Sequence, residues 1–228
     1  MKLNLHFLEA EGSLDSWHAI LRTQAKSVAD LITATVPPRF ISRPVDVLVQ
    51  YLPEETIPEL GIGGSCFRRG LVTINLDPAN TLFEKSLTTG RFTQTLAHEL
   101  HHSMRHEACG YGYSLGEAFI SEGLADSFAQ KLFTGLAPVW TNALVNCDWA
   151  EVINRAELEL DHVHYDHSVW FFGAGELPRW TGYTIGYHLV QLYGRHYPDK
   201  AEHGMIDVPH SDILLTMWEA LKMELQSN

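Results

Sequence analysis

The chain has 228 residues, of which 45% are hydrophobic, and its formal net charge is -12. This content is sufficient to bury a sizeable core, in one domain or in two lobes around a cleft. Recognition of nucleic acid depends on clustered Lys and Arg, so an acidic chain with 16 such residues argues against that partner. Its first residues do not resemble a secretory signal and no apolar run reaches the roughly 20 residues that span a bilayer, so we expect a cytoplasmic protein without a membrane partner.

The three cysteines, Cys66, Cys109 and Cys147, are predicted to be free thiols. Their number is odd and none of them forms a Cys-x-x-Cys pair, so the pattern favours neither a disulfide framework nor a thiolate zinc site. We expect them to be buried as small apolar side chains.

The N-terminal half is predicted to alternate strands and helices. Alternation of apolar and polar residues indicates strands, and apolar residues at helical spacing indicate helices. In chain order, the predicted elements are a strand at Met1–Leu8, a helix that Ser13 or Asp15 caps and that runs to about Ala34, a strand at Val45–Tyr51 and a pair of strands from Ile62 to Asn75.

Gly61, Gly63 and Gly64 lie at the start of this pair of strands. Glycine permits the close approach of another backbone, so an edge strand here can pair with an extended peptide through main-chain hydrogen bonds. A glycine cluster that serves only a turn is the alternative.

The rest of the chain is predicted to be mainly helical. Its elements are a helix from Thr88 or Thr89 to Arg105 or Glu107, a helix through Glu122 to about Leu132, and helices at Ala143–Leu160, Tyr183–Tyr193 and Ser211–Leu225. The sequence therefore predicts an α+β fold. Residues 1–137 are predicted to form an α+β part that contains the small sheet and the first two of these helices. Residues 138–228 are predicted to form a helical part that closes the cleft of one compact catalytic unit.

The first of these helices contains the motif His-Glu-x-x-His at His98, Glu99 and His102. Residues four apart lie on the same face of a helix, so both imidazoles can bind one metal ion with Glu99 beside it. The alternative is a histidine-rich, solvated helix face that also includes His101 and His106.

Glu122 follows the motif after nineteen intervening residues, and Asp126 lies one turn beyond it. Catalytic zinc binds three protein ligands and keeps one position open, so a carboxylate from a second helix completes the set His98, His102 and Glu122. Asp126 is predicted to accept the free ring N–H of a ligand histidine. Glu117 is the next candidate for the third ligand.

The pattern His-Glu-x-x-His followed by Glu-x-x-x-Asp resembles the gluzincin metallopeptidases, and the gap resembles that of thermolysin-like enzymes. The segments 95–102, 115–126 and 177–187 are similar to a family of uncharacterised proteins described as predicted zinc-dependent proteases. This resemblance implies a zincin-like fold, a Zn2+ cofactor and a peptide or protein substrate.

Glu99 is the expected general base, because it can take a proton from the attacking water and return it to the leaving amine. Tyr183 and Tyr187 belong to the resembling Gly-Tyr repeat and are predicted to donate hydrogen bonds to the oxyanion. Tyr113 competes for this role, since it lies near the position where thermolysin-like enzymes keep a transition-state tyrosine.

The cluster His162, His164 and His167 has three interpretations. It can be a substrate-binding or oxyanion-donating loop, a second metal site, or a surface loop. The His-x-His spacing suits a strand better than a helix.

The sequence as a whole predicts a zinc metallopeptidase and leaves two alternatives. A non-catalytic, metal-stabilised interaction module would enclose the metal with a fourth protein ligand, supplied by His106 or by a member of the later histidine cluster. The same machinery can also hydrolyse an amide other than a peptide bond.

Overall fold

The computed structural model describes residues 1–133, 136–141, 143–144 and 147–226. The chain has an α+β fold, in which a mixed four-stranded sheet accompanies α-helices. It divides into two compact units: Met1–Ala108 with Phe128–Leu136, and Cys109–Ser127 with Ala137–Asn228. The predicted fold class is confirmed at this level, while the zincin-like arrangement and the division at residue 137 stay predictions. No helix among the described residues has both the length and the apolar character that crossing a membrane requires.

The sheet belongs to the first unit. Its strands are β1 (Leu3–Leu8), β2 (Val45–Tyr51), β3 (Ile62–Arg68) and β4 (Leu71–Leu76), in the order β1-β2-β4-β3. β1, β2 and β4 are parallel, and β3 pairs antiparallel with β4 after a turn at Gly70, whose φ is 76°. Alternate residues of β2 and β4, including Val47, Val49, Val72 and Ile74, are buried in the core. The predicted strands are confirmed, and β3 lies at the edge of the sheet.

The first unit also contains helices α1 (His18–Thr35), α2 (Phe83–Thr88) and α3 (Arg91–Ala108). The predicted cap of α1 by Ser13 or Asp15 is wrong, because a 3-10 turn at Asp15–Trp17 precedes the helix and Trp17 occupies its N-cap position. The predicted start of α3 at Thr88 or Thr89 is also wrong. Those two threonines end α2, and Gly90, with a φ of 84°, separates the two helices.

Helix α3 packs against α1 and β3 and is buried over most of its length. Its apolar residues are buried, and so are the polar side chains of His98, Glu99 and His102. Buried polar groups need hydrogen-bond or metal partners, because they have lost those that water provides. This burial contradicts the alternative of a solvated, histidine-rich helix face.

The second unit is mainly helical. It contains most of α4 (Leu115–Leu132), whose last turn belongs to the first unit, followed by α5 (Trp149–Glu159), a short π-helix (Ser168–Phe172), α6 (Thr181–His196) and α7 (His210–Gln226). The predicted start of α5 at Ala143 is wrong. Asp148 caps this helix by accepting a hydrogen bond from the backbone N–H of Glu151 at 3.2 Å, while positions 145 and 146 of the predicted helix lie outside the described residues.

Helices α4 and α6 approach so closely that their backbones meet. A Cβ at Gly123 would lie 2.1 Å from the carbonyl oxygen of Gly186, and a Cβ at Gly186 would lie 1.9 Å from the carbonyl oxygen of Phe119. Gly182 lies one turn earlier and leaves room for the ring of Phe171. A Cβ at Gly182 would lie 2.6 Å from Cε1 of that ring. The glycines of the Gly-Tyr repeat therefore serve helix packing.

Candidate metal centre

His98 and His102 point their ring nitrogens at the same place. One turn apart on α3, they bring their Nε2 atoms to 3.0 Å, with ring centroids 4.8 Å apart and rings at 77° to each other. Both side chains are buried. Two imidazole nitrogens that face each other in this way can act together as ligands of one cation.

Glu122 completes a group of three buried side chains of the types that can bind a metal ion. One ligand atom from each of His98, His102 and Glu122 lies within 4.8 Å of the other two. Two imidazole nitrogens and a carboxylate oxygen are a donor set that fits zinc, and three protein ligands leave a position for water or substrate. Among the described residues, no fourth His, Cys, Asp or Glu belongs to this group.

Glu99 lies against a strand that lacks a side chain at the point of contact. A Cβ at Gly64 of β3 would lie 2.7 Å from both Cγ and Oε1 of Glu99. Gly64 therefore makes room for the proposed base. The pKa of the Cys66 thiol on the same strand is raised to about 12. Burial is the larger cause, and the negative charge of the Glu99 carboxylate adds to it.

Glu122 accepts a hydrogen bond from a tyrosine that the sequence prediction missed. The hydroxyl of Tyr111 donates to Oε1 of Glu122 at 2.6 Å, and burial together with that carboxylate raises the pKa of Tyr111 well above its usual value. Tyr113, the predicted competitor, is 85% exposed. The available signal was Gly110-Tyr111-Gly112, a tyrosine between two glycines in the loop before α4.

Glu117, the alternative third ligand, caps helix α4. Its Oε2 accepts from the backbone N–H groups of Tyr113 at 2.7 Å and Ser114 at 3.0 Å, and its own N–H donates to the hydroxyl of Ser114 at 3.3 Å. This is a capping box. Although burial opposes the effect, the backbone N–H groups lower the pKa of Glu117. Its carboxylate is therefore used at the start of the helix.

Asp126 is buried one turn after Glu122, as the spacing predicts. Its Oδ2 accepts a hydrogen bond from Nε1 of Trp140 at 2.6 Å. Trp140 is a partner that sequence spacing does not reveal, because it lies in a separate segment. The predicted hydrogen bond from a ligand histidine to Asp126 stays a prediction.

The predicted oxyanion donors Tyr183 and Tyr187 are half-buried on α6. Tyr183 lies in an aromatic cluster, with ring centroids 5.0 Å from Phe171 and 5.0 Å from Trp140. Such packing explains a tyrosine at this position without a catalytic role. The assignment of either hydroxyl to the oxyanion stays a prediction.

Residues 162–166 of the later histidine cluster form neither a strand nor a helix. His167 directly precedes the π-helix. His162 and His164 are exposed. His167 stacks on Phe171 at 4.2 Å and is near Glu122; burial lowers its pKa, while the Glu122 carboxylate opposes that effect. His106, another proposed fourth ligand, has its Nε2 3.2 Å from the carbonyl oxygen of Cys66. His167 thus lies near Glu122, and His106 lies near His102 on α3, each within its own unit.

Comparison with known proteins adds a family and one relative. A family model described as "Predicted Zn-dependent protease (DUF2268)" matches residues 53–214. An uncharacterized protein from Bacillus subtilis (strain 168), YjfC, is 30% identical over 134 residues, which covers 51% of this chain and 44% of the relative. The match thus spans less than half the length of that relative. No solved structure matches the chain.

Proposed function

Because the chain belongs to the family described as predicted Zn-dependent proteases, we propose that it is a zinc-dependent metallopeptidase that hydrolyses peptide bonds. One observation carries the proposal: three buried side chains, His98, His102 and Glu122, offer ligand atoms within 4.8 Å of one another. Glu99, next to the first of these ligands in sequence, supplies a base.

His98, His102 and Glu122 would hold zinc, with Asp126 as the proposed outer partner of a ligand histidine. When bound in such a site, zinc lowers the pKa of a water molecule and polarises the carbonyl group of the substrate. A structural zinc site is closed by four protein ligands, whereas this group has three among the described residues. This difference favours an enzyme over a metal-stabilised interaction module.

Glu99 would act as the general base. A carboxylate in this position accepts a proton from water as the water attacks the scissile carbonyl, and then donates it to the leaving amine. The packing of Glu99 against Gly64 restricts its side chain, which favours a fixed geometry for proton transfer. Tyr183 and Tyr187 are proposed to stabilise the oxyanion.

The edge strand β3 supports a peptide as the substrate. Ile57 pairs with Ile62 at the start of this strand, and from Gly64 onward its outer side forms no strand pairing among the described residues. An extended peptide can add to such an edge through main-chain hydrogen bonds. Main-chain recognition selects peptides as a class and leaves the side-chain preference open.

The test combines metal analysis with a peptide-library cleavage assay on the full chain. We expect one zinc per chain, and peptide cleavage that a chelator abolishes and added zinc restores. Bound zinc without cleavage of any peptide would favour the interaction module, and cleavage of non-peptide amides alone would move the reaction to another bond. A protein that binds no zinc would contradict the proposal.

A further inference from the structure

Tyr111 is fixed at both of its polar ends. Its hydroxyl donates to Oε1 of Glu122 at 2.6 Å, and its carbonyl oxygen accepts from the hydroxyl of Ser121 at 2.6 Å. The same hydroxyl of Ser121 lies 2.9 Å from Nε2 of His210, at the start of α7. Two adjacent residues of α4, Ser121 and Glu122, therefore hold one tyrosine of the preceding loop.

The loop around Tyr111 is shaped by two glycines. Gly110 has a φ of 75° and Gly112 a φ of 95°, a region that other residues rarely adopt. A Cβ at Gly112 would also lie 2.3 Å from Cβ of Glu117, so the loop passes directly over the first turn of α4. This backbone path restricts the position of Tyr111, which is a condition for a positioning role.

We propose that Tyr111 is a positioning residue for Glu122, a role that rests on the proposed zinc site. A carboxylate can accept a hydrogen bond and bind a metal ion at the same time, and the hydrogen bond to Oε1 orients the group. Without the phenol, the carboxylate can rotate, and both its orientation and its donor strength change. Partners of this kind typically contribute a factor of about 10–100 to metal affinity.

Tyr165 provides a matched control. It also lies near Glu122, since burial and then the carboxylates of Glu122 and Glu117 raise the pKa of Tyr165 to about 12. However, its hydroxyl forms no hydrogen bond among the described residues. The substitutions Tyr111→Phe and Tyr165→Phe thus remove the same atom close to the same carboxylate, and only the first removes a hydrogen bond to it.

The experiment measures zinc affinity of the full chain by competition with a chromophoric chelator, for the wild type and both variants. We expect Tyr111→Phe to weaken zinc binding by about 10–100-fold and Tyr165→Phe to leave it unchanged. The visible spectrum of the Co2+-substituted protein should change only in Tyr111→Phe, since it reports ligand geometry independently of turnover. A purely structural tyrosine would lower the melting temperature of the metal-free protein without either effect.

Ser121→Ala gives a second route if Tyr111→Phe does not fold. It keeps the phenol but removes the hydrogen bond to the carbonyl oxygen of Tyr111. We expect it to weaken zinc binding by a smaller factor than Tyr111→Phe. Wild-type affinity and an unchanged Co2+ spectrum in a folded Tyr111→Phe protein would overturn the positioning role. Equal losses in both tyrosine variants would also overturn it. Absence of zinc binding in the wild type would instead overturn the metal site itself, and absence of peptide cleavage by the zinc-bound wild type would contradict only the proposed peptidase.

Discussion

The side chain of Glu99 fills the space that a side chain at Gly64 would need. A Cβ on Gly64 of β3 would lie 2.7 Å from Oε1 of the Glu99 carboxylate. Gly64→Ala should therefore push Glu99 aside and leave the metal ligands in place. Because misplacement of a catalytic group by about 1 Å can cost about 100-fold in rate, we expect a loss of that order in kcat with zinc content unchanged. Ser65→Ala, on the next residue of the strand, is the control and should retain full activity.

Glu99→Gln keeps the shape of the side chain and removes its ability to accept a proton. We expect peptide hydrolysis to fall by about 10²–10⁴-fold, while zinc content and melting temperature stay near wild-type values. Steady-state kinetics on a cleaved library peptide, with metal analysis of the same sample, provide the measurement. Wild-type turnover by this variant would refute the general-base assignment.

Glu122→Ala and Glu117→Ala separate the two carboxylates of α4. The first removes a proposed ligand and should abolish tight zinc binding in the chelator competition. The second removes the capping box at Tyr113 and Ser114, so it should keep zinc and lose about 1 kcal/mol of folding stability. Full zinc affinity in Glu122→Ala would move the third ligand to another residue.

Gly186→Ala tests the close contact between α4 and α6. The added methyl group would meet the carbonyl oxygen of Phe119 at 1.9 Å, so we expect about 3 kcal/mol of destabilisation, the upper range for overpacking. On the same helix, the methyl group of Gly194→Ala meets, among the described residues, only Cβ of Ala201 at 3.6 Å, so this variant should stabilise the protein by about 0.5–1 kcal/mol. Denaturant unfolding of both variants measures the difference, and equal effects would contradict this account of the repeat.

Cys66 should be the slowest thiol to react with an alkylating reagent. Its pKa is raised from 9.0 to about 12, so the folded protein holds almost no Cys66 thiolate at pH 8. The raised value also lowers stability as pH rises above about 9, because only the unfolded chain then ionises this thiol. Mass spectrometry after timed alkylation should show modification of Cys109 and Cys147 first; early modification of Cys66 would contradict its burial.

The sequence predicted those features that depend on spacing along one helix. The four-residue separation correctly placed His98 and His102 on one face of the helix. The strands predicted in the first unit from alternating apolar and polar residues are also present. The hydrogen bond between Tyr111 and Glu122 could not be predicted, because it depends on the path of a loop with two positive φ angles. Spacing from Glu122 drew attention to Tyr113 instead, which the same loop turns toward solvent.

The Gly-Tyr repeat shows a second limit of spacing. Tyrosines four residues apart suggested a catalytic pair, yet the glycines beside them are required by the approach of another helix. A pattern on one helix cannot distinguish a side chain that reacts from a neighbour that permits packing. Contacts with Gly123 and Phe119, which lie more than sixty residues away in sequence, make that distinction.

Gly123, which meets the backbone of Gly186, directly follows Glu122 in the chain. Where two main chains touch, neither helix can slide or rotate to absorb a change elsewhere, since no flexible side chain lies between them. The position of Glu122 along its helix, relative to α6, is thus determined by contact between backbones. Substitutions of the surrounding apolar side chains should therefore be tolerated better than replacement of either glycine by a larger residue.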